Sequence, residues 1–104
     1  MNDRQDSRIR VALVDNDAFT LDMLKMAIPR RNPRLDVCWS ARRGADAIDW
    51  ALDPVTMPDI LLTDMSLEDI SGVSVCREIR RRTERVPLLA ITAFSIDRYA
   101  NRAA

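Results

Sequence analysis

Three short apolar runs in this chain each end in a polar cluster, and that pattern constrains the fold more than any other feature. Ile9 to Val14 reads IRVALV and runs into Asp15, Asn16 and Asp17. Ile60 to Leu62 runs into Thr63 and Asp64, and Leu88 to Ile91 runs into Thr92. A fourth, weaker run spans Leu35 to Trp39. Runs this short and this apolar, bounded by turn residues, are expected for strands buried on both faces, as in parallel sheets.

Helical patterns fill the intervals. Ala18 to Ile28 sets Phe19, Met23, Met26 and Ala27 at helical spacing, and Pro29 is expected to stop that helix. The Met pair reads as core. Gly44 to Leu52 carries Ala45, Ile48 and Leu52 on one face, before Asp53-Pro54. Val73 to Arg82 carries Val75, Cys76 and Ile79, with three arginines in a last turn where cations suit the helix dipole. Ile96 to Arg102 looks like the start of a fourth helix. Strands alternating with helices imply right-handed βαβ units, hence an α/β, doubly wound parallel sheet of four visible strands. Ligands of such sheets bind beyond the carboxyl ends of the strands, where Asp15, Asn16, Asp17, Asp64 and Thr92 all fall. Residues 1–8 read as a disordered tail and 9–104 as one domain.

Composition narrows the function. Hydrophobic residues make up 47% and charged residues 31% of the chain, so a packed core is expected. No window is apolar enough to span a bilayer, and Met1 to Arg8 lacks a signal-peptide core; the expected location is the cytoplasm, away from membranes. Basic and acidic residues balance at 16 each, which gives no argument for nucleic acid. The arginine clusters at 30–31, 42–43 and 80–82 read as solvated helix ends, and Trp39, Trp50, Phe19 and Phe94 as packing residues rather than a base-stacking platform. There is no His, which excludes His-based acid–base chemistry, and Lys25 is the single Lys. Cys38 and Cys76 lack metal-ligand or redox spacing and read as reduced, largely buried thiols.

Carboxylates from two neighbouring strand ends would make an acidic pocket. Their mutual repulsion is relieved by a hard cation, and oxygen ligands with open positions suit Mg²⁺. A carboxylate at the centre of such a pocket can attack phosphorus and form an aspartyl-phosphate. Thr92, on the next strand, offers a hydroxyl for a phosphoryl oxygen. Each residue also has an ordinary reading: Asp17 as a helix cap, Asp64 as a loop acid.

The segments VALVDND at Val11 to Asp17, DILLTDMSLEDISG at Asp59 to Gly72 and PLLAITA at Pro87 to Ala93 resemble the receiver domain of two-component response regulators. The middle segment is the most specific, with Gly72 eight residues after Asp64 and opening a helix. The resemblance implies a flavodoxin-like fold with strand order 2-1-3-4-5. It implies that Asp64 accepts a phosphoryl group from a sensor histidine kinase and that Thr92 is the switch hydroxyl. It also implies that Asp15, Asn16, Asp64 and the Ser66 backbone carbonyl hold Mg²⁺. On this reading the chain is a phosphoacceptor that assists its own phosphorylation, not an enzyme with a free substrate. DNA would be reached only through an output domain, as in receivers of transcriptional regulators.

Three departures qualify the resemblance. Asn16 stands where the second acid of the family's pair is usual, so a metal site carries one charge less. Glu68 takes the place of the usual Pro in the loop. The family's fifth strand, its Lys and its last helix have no counterpart up to Ala104, so the C-terminal strand and helix are expected to be missing. An uncovered sheet edge would then favour a homodimer or a swapped dimer. A second reading keeps the fold and drops the chemistry: a pseudo-receiver acting as a protein-interaction module. A third, a haloacid-dehalogenase-like phosphatase built on Asp15-x-Asp17, is disfavoured because Thr20 stands one position too late for that motif.

Overall fold

A computed structural model of the chain describes residues 8–65, 67 and 69–91, the last four as backbone. The order is β1 (Ile9–Val14), α1 (Ala18–Arg31), β2 (Leu35–Ala41), α2 (Gly44–Leu52), β3 (Ile60–Asp64), α3 (Gly72–Arg82) and β4 (Leu88–Ile91). Every expected strand forms, and β2 runs two residues beyond its apolar core. The sheet is parallel throughout, in the order β2-β1-β3-β4. The expected fourth helix, Phe94, Thr92 and Ser66 lie outside the described residues, as does the N-terminal tail up to Ser7.

β1 is central, and its side chains alternate between two cores. Val11 and Leu13 face one side and join Leu21 of α1, with Leu24, Ile28, Leu35, Val37, Ile60 and Leu62 packed around them. Ala12 and Val14 face the other, with Leu61, Ala47 and Ala51 of α2, and Val75 and Ile79 of α3. Burial on both faces is why β1 is apolar without a break from Val11 to Val14. Beside it, β2 shifts register between Val11 and Ala12, so that Val37 and Trp39 take successive partners and Cys38 is passed over. Its thiol lies 3.5 Å from the Val11 carbonyl. Cys38 and Cys76 are both half-buried and unpaired, and burial pushes both thiols up from their ordinary range. Trp39 and Trp50 pack edge to face at 5.3 Å, and the Trp39 indole donates to the Thr56 carbonyl at 2.7 Å.

Two expectations for α1 are corrected. Its inward face is Leu21, Leu24 and Ile28, whereas Phe19, Met23 and Met26 are 70%, 54% and 57% exposed. The helix carries two apolar stripes, both at helical spacing, and periodicity alone does not choose between them. The sheet does, because the leucine stripe meets Val11 and Leu13. The second stripe, with Asp22, Ala27, Arg30 and Arg31, lines an open groove on the outside. Nor does Pro29 stop the helix, which continues to Arg31 and closes where Asn32 N–H donates to the Ile28 carbonyl. A proline removes one hydrogen bond, here the one to the Lys25 carbonyl, and Lys25 lies on the exposed side of α1, where the loss of a donor costs least.

The corrected face gives a direct expectation. Leu21→Ala should lower unfolding free energy by about 2–5 kcal/mol, the usual result of truncating a buried leucine. Met23→Ala should change it by less than about 0.5 kcal/mol. Urea titrations of both variants check the assignment, and a Met23 loss as large as that of Leu21 would contradict it.

Candidate functional site

The β1–β3 register pairs Val14 with Thr63, so the next residues, Asp15 and Asp64, stand side by side where the strands end. Neighbouring strands are about 4.8 Å apart. Both aspartates are 8% exposed, an unusual degree of burial for two carboxylates at one edge. One oxygen of each meets a backbone donor. Asp17 N–H donates to Asp15 Oδ1 at 2.8 Å, and Met65 N–H donates to Asp64 Oδ1 at 2.9 Å.

Asp17 is drawn away from this pair. It is the N-cap of α1. Oδ1 accepts from Phe19 N–H at 3.2 Å, and Oδ2 accepts from the Thr20 hydroxyl at 2.7 Å. With both oxygens engaged by the helix start, it does not make up for the neutral Asn16. That residue is partly buried, and its carbonyl accepts from Arg42 Nε and Nη2 at 3.3 and 3.2 Å.

After Asp64 the chain returns tightly. Gly72 N–H donates to the Met65 carbonyl at 3.0 Å. A Cβ at Gly72 would overlap the Asp64 carbonyl, so the close approach requires glycine there. Ser71 then caps α3, accepting from Ser74 N–H at 3.0 Å.

Sequence reasoning missed one residue of this loop. Asp69 accepts from Gly44 N–H and Ala45 N–H at 2.9 Å each, closing the N-terminus of α2 from outside the helix. Those two hydrogen bonds hold its carboxyl below the ordinary carboxylate range. The available signal was negative: α2 begins after Arg43, which makes no side-chain cap.

The structure thus brings Asp15, Asn16 and Asp64 to one edge of the sheet. Among the described residues, no group of three or more His, Cys, Asp or Glu side chains is gathered to hold a metal. Two carboxylates remain as hard donors, with Asn16 next to Asp15 in the chain. That set suits a cation that keeps most of its own water.

The sequence profile of the response regulator receiver domain matches residues 11–104. The chain belongs to this family. The receiver is 33% identical over 88 residues to a protein-glutamate methylesterase/protein-glutamine glutaminase of Pyrococcus horikoshii, covering 85% of this chain and 23% of that protein. It is 34% identical over 87 residues to the transcriptional regulatory protein TrcR of Mycobacterium tuberculosis, covering 84% and 32%. The chain therefore spans about a quarter to a third of the length of these curated relatives. Among solved structures, the response regulator domain of Thermotoga maritima CheB superposes with TM-score 0.72 at 24% identity, covering 91% of this chain and 72% of that one. A LuxR-family response regulator from Aurantimonas superposes with TM-score 0.74 at 24% identity, covering 89% and 68%. These likenesses show the flavodoxin-like fold.

The lowered acidity range of Asp69 has a definite sign. A carboxyl held below its unfolded value stabilises the fold fully above the ordinary aspartate range, and loses that contribution as pH falls through the folded value. The stability gap between wild type and Asp69→Asn should therefore be constant near neutrality and shrink in acid. Urea titrations across pH check this; a gap that widens in acid would contradict it.

Proposed function

We propose that this receiver is a phosphoryl acceptor of a two-component system, with Asp64 as the nucleophile. The observation that carries the reading is the pairing of two buried carboxylates, Asp15 and Asp64, at adjacent ends of parallel strands. An Asp64 oxygen attacks phosphorus as the P–N bond of a phosphohistidine on the partner kinase breaks, leaving the imidazole with the electron pair. Mg²⁺, with Asp15, Asn16, Asp64 and the Ser66 carbonyl as its ligands, would offset charge on the transferring phosphoryl group. The donor set fits it, with one charge fewer than a pair of acids plus Asp64 would give. Met65 N–H holds one Asp64 oxygen in place. Thr92 is assigned the switch hydroxyl on resemblance alone.

The chain on this reading takes part in its own phosphorylation and turns over no free substrate. Its partners are a sensor histidine kinase and a second copy of the chain, and its place is the cytoplasm. Among the described residues, no helix is long and apolar enough to cross a membrane. Transcriptional regulators such as TrcR stand among the relatives, and control of transcription through a separate output domain is the proposed consequence.

Asn16 favours a second reading, an interaction module that takes no phosphoryl group. One experiment separates the two. Wild type with Mg²⁺ and acetyl phosphate should gain the mass of one phosphoryl group, and Asp64→Ala should gain none. Asn16→Asp should bind Mg²⁺ roughly tenfold more tightly, because affinity follows the charge of the ligand set. A wild-type mass that never shifts would sink the acceptor and leave the module.

A further inference from the structure

The connection from β2 to α2 touches both loops of the acidic site. Arg42 begins it and holds the carbonyl of Asn16, next to Asp15. Gly44 and Ala45 follow and hold the carboxylate of Asp69, in the loop after Asp64. The seat is tight on its apolar side too. A Cβ on Gly44 would stand 2.6 Å from Ile70 Cγ1 and 2.9 Å from Val75 Cγ2, so the start of α2 lies directly against Ile70 and α3. The β1–β3 ladder sets the spacing of the backbones as far as Val14 and Thr63. Past that point, contacts of this kind set where each loop runs.

We infer that Asp69 is a positioning residue for the acidic site: it ties the loop after Asp64 to the first residues of α2, next to the short connection whose Arg42 holds the loop after Asp15, and so sets how the two carboxylates face each other. The chemical consequence rests on the phosphoryl-acceptor reading; the mechanical link does not. In this role Asp69 acts through the backbone N–H groups of Gly44 and Ala45. A plain helix cap in trans would stabilise α2 and leave Asp15 and Asp64 where they are. A positioning residue moves them when it is removed. Groups that orient the ligands of a metal from outside typically change affinity by about 10- to 100-fold when lost.

Asp69→Ala and Asp69→Asn distinguish these roles, compared with wild type well below their unfolding midpoints. Asn keeps one acceptor oxygen, so it should hold one of the two N–H groups and serve as the partial rescue. In the ligand-free protein, amide exchange at Gly44 and Ala45 should quicken, most in Asp69→Ala. The Asp17 and Met65 amides donate to Asp15 and Asp64 and report on them directly. Their resonances should shift in Asp69→Ala and shift less in Asp69→Asn. Mg²⁺ titration should show affinity about tenfold weaker for Ala and within about threefold of wild type for Asn.

Quickened exchange at Gly44 and Ala45 with unmoved Asp17 and Met65 resonances would overturn the inference and leave a helix cap. Unchanged exchange at Gly44 and Ala45 would overturn it as well, because the contact would then not hold in solution. A wild type that takes up no phosphoryl group would defeat the acceptor reading alone, since the amide measurements need neither metal nor phosphodonor.

Discussion

Two like charges are held at one end of one strand pair, and most of the structure follows from how that is arranged. Asp15 and Asp64 are side by side because β1 and β3 pair with Val14 opposite Thr63. A shift of one residue would set Asp64 beside Val14 or Asn16 instead of Asp15 and turn the alternate faces of β1 into the wrong cores. The packing of Val11 and Leu13 against α1, and of Ala12 and Val14 against α2 and α3, is what forbids that shift. Core packing and site geometry are thus one constraint. Apolar burial sets the register, and the register sets the acids side by side.

That dependence explains what was legible in the sequence. The buried stretch of a central strand is mostly apolar, so Val11 to Val14 and Ile60 to Leu62 appear as runs, and the acids Asp15 and Asp64 that follow them mark the strand ends. Fold class and the Asp15–Asp64 pair follow from this local pattern. The inward face of α1 does not, because Leu21, Leu24, Ile28 and Phe19, Met23, Met26 are both helical stripes and only the sheet distinguishes them. Pro29 misled for a related reason: its effect depends on whether water can reach the carbonyl that loses its partner. Asp17 had two credible roles, and the helix behind it, with Phe19 N–H and the Thr20 hydroxyl, decided for the cap.

Asp69 was the least legible residue. Helix caps are read from the residue that precedes the helix, and here that residue is Arg43. The cap arrives instead from a loop 24 and 25 positions further along the chain. Only the fold makes them neighbours. What the sequence does show is an absence, a helix that starts without a Ser, Thr, Asp or Asn. A helix start left open in this way is a reason to look for an acid elsewhere in the chain.

Asn16 gives the positioning contacts added weight. A neutral amide in place of an acid removes one repulsion from the pocket, which makes the two remaining carboxylates easier to hold close together. It also removes part of the field that would draw in a cation. Affinity lost in charge is recovered only through geometry, since a hard cation with few protein ligands gains most when those ligands are already aimed. A site with two carboxylates therefore depends more on the supports outside it than a site with three. On the phosphoryl-acceptor reading proposed above, Arg42 and Asp69 would be such supports, one bonded to the loop after Asp15 and the other to the start of α2, and neither would need to touch a cation to bear on how Asp15 and Asp64 receive it.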